Sequence, residues 1–207
     1  MGRKIFITGI GTDVGKTIVS AILTEAWQAD YWKPLQAGNL DQPESATIAS
    51  LISNSTSVIH PTLINLQLAA SPHIAAEKEN RKIEMEDLKV PFTTNNLLIE
   101  GAGGIMVPLN RSTRILDWIK KEGFEVVLVS RHYLGSINHT LLSIEVLKQH
   151  GINLLGVIFN DTDHFDSASV IKELSGAKVI GSIPHLESFE KNEIKKIAEG
   201  IQKLSEI

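Results

Sequence analysis

The strongest chemical signal lies at Gly9-Ile10-Gly11-Thr12-Asp13-Val14-Gly15-Lys16-Thr17, directly after the apolar run Ile5-Phe6-Ile7. Glycines in such a loop let the backbone turn N–H groups inward, and a helix beginning there adds partial positive charge. An anionic phosphate fits that environment. Lys16 can reach the outer phosphates of a nucleotide, and Thr17 offers a hydroxyl to Mg2+. Spacing decides which phosphate motif is present. A dinucleotide fingerprint needs its third glycine where Val14 stands, and a standard P-loop needs its first where Ile10 stands. What remains is Gly9, five residues, then Gly15-Lys16-Thr17, a P-loop one residue longer than usual. The pattern predicts a nucleoside triphosphate site.

Other residues could complete such a site. Glu100 closes the apolar run Leu97-Leu98-Ile99 and precedes Gly101-Ala102-Gly103-Gly104. A carboxylate there is placed as a second Mg2+ contact, and the glycines would admit backbone close to phosphate. Lys33, in Trp32-Lys33-Pro34, suits charge stabilisation, although from the residue alone a surface lysine is the simpler reading. Ser136 and Asn138 open a helical stretch after Leu134-Gly135, where they cap the helix or leave its N–H groups to bind a carboxylate. Asn160-Asp161 follows another apolar run. The asparagine amide can pair with a base edge, yet Asn-Asp is equally a plain turn. The histidines are scattered without ligand spacing, so no transition metal is assigned.

These residues need elements to position them. Ile5–Thr8, Leu97–Glu100, Val126–Val129 and Leu154–Phe159 read as strands buried on both faces, with shorter ones at Tyr31–Lys33 and Val179–Ile183. Helical stretches fall near Thr17–Ala29, Ser136–Gln149, Ser167–Leu174 and Asn192–Ser205. Alternation at this spacing predicts an α/β fold: a doubly wound, mostly parallel sheet with helices on both faces, of the P-loop NTPase type. Residues 39–94, with four of the seven prolines, read as helices and loops over one end of the sheet. The 207 residues are expected to form a single domain over 1–207. The tryptophans are expected in the core or an interface.

Composition bounds the function. Hydrophobic residues are 43% and aromatics only 5%, so the core must be aliphatic. Twenty basic and 24 acidic residues give −4, which argues against a nucleic-acid partner. The absence of cysteine removes thiolate metal sites and cysteine nucleophiles. No apolar run approaches the roughly 18 residues of a membrane span, and no signal peptide is visible, so a cytoplasmic location is expected.

Over nearly its whole length the chain resembles the dethiobiotin synthetases, ATP-dependent carboxylases of biotin synthesis. The resemblance rests on Thr8 to Thr17, Tyr31-Trp32-Lys33-Pro34 through Gly38, Ser71-Pro72-His73, Glu100 to Gly104, Leu134 to His139, and Asn160-Asp161. It implies 7,8-diaminononanoate, CO2 and ATP as substrates, with Mg2+, and a homodimer with active sites at the subunit interface. It makes Lys33 and Lys16 catalytic, and Thr17, Glu44 and Glu100 metal ligands. ATP contacts are implied at Asp13, Val14, Gly15, Lys16, Thr17 and Ile18, and at Glu100, Gly101, Ala102 and Gly103. Asn160, Asp161, Pro184, His185 and Leu186 complete that set. Substrate contacts are implied at Thr12, Lys33 and Ala37, and at Ser136 and Asn138 of a second subunit.

Two positions depart from the family pattern. Ala37 stands where many members carry a hydroxyl that meets the substrate, leaving backbone or Gln36 for that contact. The usual loop aspartate aligns with Glu44, with Asp41 as the fallback. Two rival classes share the P-loop. ParA/MinD-type ATPase switches carry a signature lysine five residues before the P-loop lysine, and here that place is Gly11. Glutaminase-coupled amide ligases need a cysteine that this sequence lacks.

Overall fold

The computed structural model describes residues 2–186 and 188–207. Its main sheet contains strands β1 (Lys4–Gly9), β2 (Asp30–Trp32), β4 (Ile59–His60), β6 (Leu97–Gly104), β7 (Glu125–Arg131), β8 (Leu154–Asn160) and β9 (Val179–Ile183). These are hydrogen-bonded in the order β4-β2-β6-β1-β7-β8-β9, each pair parallel. A second, two-stranded parallel sheet joins β3 (Leu35–Ala37) to β5 (Ile64–Leu66). The mostly parallel α/β architecture expected from the sequence is therefore present.

Strand periodicity explains the layers. In β1, Ile5 and Ile7 face one apolar cluster while Phe6 faces the other. The first cluster packs against helices α1 (Lys16–Trp27), α2 (Glu44–Leu51) and α7 (Lys191–Ala198). On the opposite face lie α3 (Pro72–Lys78), α4 (Ile115–Glu122) and, against β7 and β8, α5 (Ser136–Gln149) and α6 (Ser167–Ser175). Phe6, Trp118 and Phe124 form an aromatic knot there, and Trp118 meets Trp32 edge-on at 6.2 Å. All three tryptophans are buried.

Several elements differ from the sequence reading. Residues 39–94 hold strands β4 and β5 as well as helices, because runs of two and three residues are too short to display a period. Glu100 does not end its strand. β6 continues through the glycines to Gly104, which pairs with Gly9 after a shift of register. α4 lies outside the helical stretches read from the sequence, although the Asp117 carboxylate accepts the Arg114 backbone N–H at 2.8 Å at its start and Gly123, at φ 67, ends the helix. The last helix stops at Ala198, near Gly200, instead of reaching Ser205, and a short 3-10 turn follows at Leu204–Glu206. Among the described residues no helix is long and apolar enough to cross a membrane.

Candidate active site

All the strands of the main sheet run parallel, so their carboxyl ends meet on one side, and the connections step apart there, from β1 toward β2 and from β7 toward β8. In such sheets this is where ligands bind. The extended P-loop leaves β1 there and feeds α1. Gly15 sits at φ 88, and a Cβ on it would come within 2.2 Å of the Asn160 amide nitrogen. Conformation and space thus both require glycine. Val14 buries its side chain in the core and presents only its carbonyl, which accepts a 3.0 Å hydrogen bond from Asn160 Nδ2.

Lys16, 8% exposed, turns back over the loop and donates to the Gly11 carbonyl at 3.2 Å. Burial lowers its pKa, with the positive charge of Lys33 adding to the effect and Glu100 opposing it. A buried ammonium with a single acceptor among the described residues is short of partners, and a phosphate would supply them.

Glu100 is the hub. Its carboxylate is 1% exposed and accepts from Lys33 Nζ at 3.0 Å, Thr17 Oγ1 at 3.1 Å and Tyr31 Oη at 2.9 Å. Burial alone would push this carboxyl up, but the Lys33 charge and hydrogen bond, Tyr31 and Lys16 outweigh it and hold the pKa below the usual carboxylate range. Tyr31, wholly enclosed and facing that carboxylate, is raised well above its ordinary value. Lys33 lies just beyond β2, buried, and also approaches Glu44 Oε1 at 3.7 Å.

These groups border a cavity of about 780 Å³ whose lining includes Thr12, Asp13, Gly15, Lys16, Thr17 and Lys33. Ala37, Asn39, Glu44, Ser71, Glu100, Ala102 and Gly103 also line it. Asp41 is exposed and does not line it, whereas Glu44 does, and Glu44 Oε2 is buried without a hydrogen-bond partner among the described residues. Gln36 does not take the place of a hydroxyl at position 37: its amide donates to Gly38 O and accepts from Glu44 N, holding the loop. Among the described residues no three His, Cys, Asp or Glu side chains cluster as a self-sufficient metal site. Thr17, Glu100 and the orphaned Glu44 oxygen form a hard-oxygen set, which fits Mg2+ shared with phosphates and water.

A second cavity of about 180 Å³ adjoins the P-loop at Asp13 and Gly15. Asn160, Asp161, Pro184, His185 and Leu186 line it, together with Ile18, Arg131 and Phe189. Asn160 commits one of its two amide hydrogens to Val14, so its second N–H and its acceptor oxygen are left for a ligand. Ser136 and Asn138 border neither cavity of this chain: Ser136 is buried at the start of α5 and Asn138 is exposed. Gly101 is likewise absent from both linings, although its carbonyl lies 3.4 Å from Lys33 Nζ. Sequence reasoning missed Tyr31 and Arg131. Tyr31 had a signal in its place two residues before Lys33; Arg131 had none beyond following an apolar strand.

The fold and this loop define a P-loop α/β nucleotide-binding protein. Solved structures agree at the level of fold: MinD of Pyrococcus horikoshii, complexed with Mg-ADP, superposes with a TM-score of 0.61 at 17% identity, covering 99% of this chain and 98% of that one. A ParA-family ATPase of Chlorobium tepidum gives 0.59 at 13%, covering 97% and 100%. A family model described as an AAA domain matches residues 3–193. The ATP-dependent dethiobiotin synthetase BioD of Christiangramia forsetii is 50% identical over 203 residues, 98% of each chain. The enzyme of the same name from Cytophaga hutchinsonii is 46% identical over 197 residues, 95% of each. The chain belongs to the family of ATP-dependent dethiobiotin synthetases.

Proposed function

We propose that this chain, acting as one α/β unit over residues 1–207, carboxylates 7,8-diaminononanoate with CO2 and ATP to close the cyclic urea of dethiobiotin. The observation that carries the reading is the convergence of Lys16 and Lys33, both buried, on one cavity with the Thr17, Glu44 and Glu100 oxygens. One substrate amine captures CO2 as a carbamate and releases a proton. A carbamate oxygen then attacks the γ-phosphorus of ATP, giving a carbamic–phosphoric anhydride and ADP. The second amine attacks the carbamoyl carbon, the C–O bond to phosphate breaks, and the ring closes.

The protein need supply no nucleophile, only position and charge. A carbamate beside a triphosphate sets anion against anion. Lys33 enters from the β2 end and Lys16 from the P-loop, so cations can stand between the two reactants. Mg2+, held by Thr17, Glu100 and Glu44, would neutralise charge on the phosphates. Thr12, Ala102 and Gly103 shape the cavity beside the transferred group, and the backbone at Ala37 replaces the hydroxyl contact. The base enters the second cavity, where Asn160 Oδ1 accepts from an exocyclic amine. Ser136 and Asn138 line neither cavity of their own chain, which supports a homodimer in which the start of α5 holds the substrate tail of a second copy.

The switch reading of the structural neighbours is not favoured, because their likeness is one of fold and Gly11 occupies the position of the switch lysine. Oxygen labelling tests the route. With 18O-labelled CO2, phosphate released in the first turnovers should carry one labelled oxygen. Unlabelled phosphate formed together with dethiobiotin would exclude the anhydride.

A further inference from the structure

Arg131 ends β7 at the edge of the second cavity and belongs to none of the roles derived above. Its Nε and Nη2 both donate to Asp161 Oδ2, at 3.2 and 3.1 Å, while Nη1 donates to the Asp13 carbonyl of the P-loop at 3.3 Å. The other Asp161 oxygen accepts the Thr162 N–H at 2.8 Å and faces His185 Nδ1 at 3.1 Å. Three strand-end loops, those after β1, β8 and β9, are therefore tied through one guanidinium and one carboxylate. The backbone at both grips is unusual. Asp13 and Asp161 lie at φ 56 and φ 76, left-handed conformations that non-glycine residues hold at a cost.

An isolated surface ion pair would contribute little. This one spans the two walls of a slot: the P-loop with Ile18 on one side, and Pro184 to Leu186 on the other. We infer that Arg131 is a positioning residue for the nucleotide base, its guanidinium bridging the Asp13 carbonyl and the Asp161 carboxylate so that the slot beside Asn160 is preformed before ATP arrives. The inference rests on the ATP-site reading. Preformation strengthens base binding by removing the ordering that binding would otherwise require. Arg131 touches the phosphate loop through the Asp13 carbonyl alone among the described residues, and its other two bonds go to Asp161, so the base half of the site should lose more than the phosphate half.

Calorimetric titration of the full chain with a nonhydrolysable ATP analogue and, separately, with inorganic triphosphate tests this. In Arg131→Ala the analogue should bind about tenfold more weakly, and triphosphate should change by less than about twofold. Asp161→Asn should lose a similar factor, and the double variant no more than either single one, since both break one unit. At saturating ATP, kcat of Arg131→Ala should stay within about twofold of wild type, with the loss confined to KM. Equal loss for analogue and triphosphate would place Arg131 on the phosphates and overturn the inference. So would unchanged binding of both, or additive losses in the double variant. If the wild type itself bound the analogue no more tightly than triphosphate, the ATP-site reading would fail instead.

Discussion

Two buried carboxylates at opposite ends of β2 show how differently one sheet can hold a negative charge. Glu100, beside the carboxyl end, is 1% exposed, and Asp30, at the amino end, is 3% exposed. Burial would push both carboxyls up, yet both are held below the ordinary range. The compensation differs in kind. Asp30 accepts from Thr93 Oγ1, Val58 N and Asn95 Nδ2, with His60 Nε2 at 3.3 Å. Its partners are mostly neutral dipoles, and they staple β2, β4 and the segment before β6 together. Glu100 instead relies on Lys33 and Lys16, cations that substrate and phosphate would also engage. One carboxylate is satisfied by the fold. The other is satisfied by groups that the proposed reaction must borrow.

That contrast can be broken at chosen points. Lys33→Ala removes the cation proposed to face the carbamate, and kcat should fall about a thousandfold while nucleotide affinity changes only a few fold. Calorimetry beside steady-state kinetics separates the two, and a near-normal rate would take Lys33 out of the mechanism. Glu100→Gln leaves Lys33 buried with only the more distant Glu44 as a charge partner and should cost about 3 kcal/mol of stability by denaturant melts. Nucleotide binding should then lose most of its dependence on Mg2+. Asp30→Asn should cost about 1–2 kcal/mol, since the bonds lost come from neutral donors and leave no buried cation unpaired, and leave kcat per folded molecule unchanged. A catalytic defect in Asp30→Asn would erase the distinction drawn between the two ends of the sheet.

The smallest expected effect is in acid. Both carboxyls are harder to protonate in the folded chain than in the unfolded one, so as pH falls the unfolded chain takes up protons first. Their contribution is complete above the ordinary values of 4.5 and 3.8 and is lost as pH drops through the depressed folded values. Chemical denaturation across this range should show stability declining below about pH 4.5, with a shallower decline in Asp30→Asn than in wild type. An identical acid limb would show that Asp30 has the same affinity for protons folded and unfolded.

Much of this arrangement was legible from residues. Long apolar runs marked β1, β6, β7 and β8, and Gly15-Lys16-Thr17 located the phosphate loop because its chemistry is local. The hub at Glu100 was only half legible. Its contacts with Tyr31 and Lys33 cross 69 and 67 residues of sequence, and they exist because β2 pairs with β6. Strand order is not written in any local period. β3, β4 and β5 were invisible for a different reason, being too short to alternate. Arg131 escaped because an arginine at a strand end has no signature until the loops that it ties are folded together. Glu44, placed by resemblance alone, is supported by geometry against Asp41: it borders the cavity and carries an unsatisfied oxygen.

Phosphate release, followed with purified protein, ATP and Mg2+, tests the central claim most directly. The charge gathered at the carboxyl end of the sheet is proposed to serve carbamate phosphorylation, so release should require 7,8-diaminononanoate and bicarbonate together and match dethiobiotin formed one for one. Steady release without the diamine, at a rate comparable to the complete mixture, would contradict that claim and return the chain to the ATPase switches whose fold it shares.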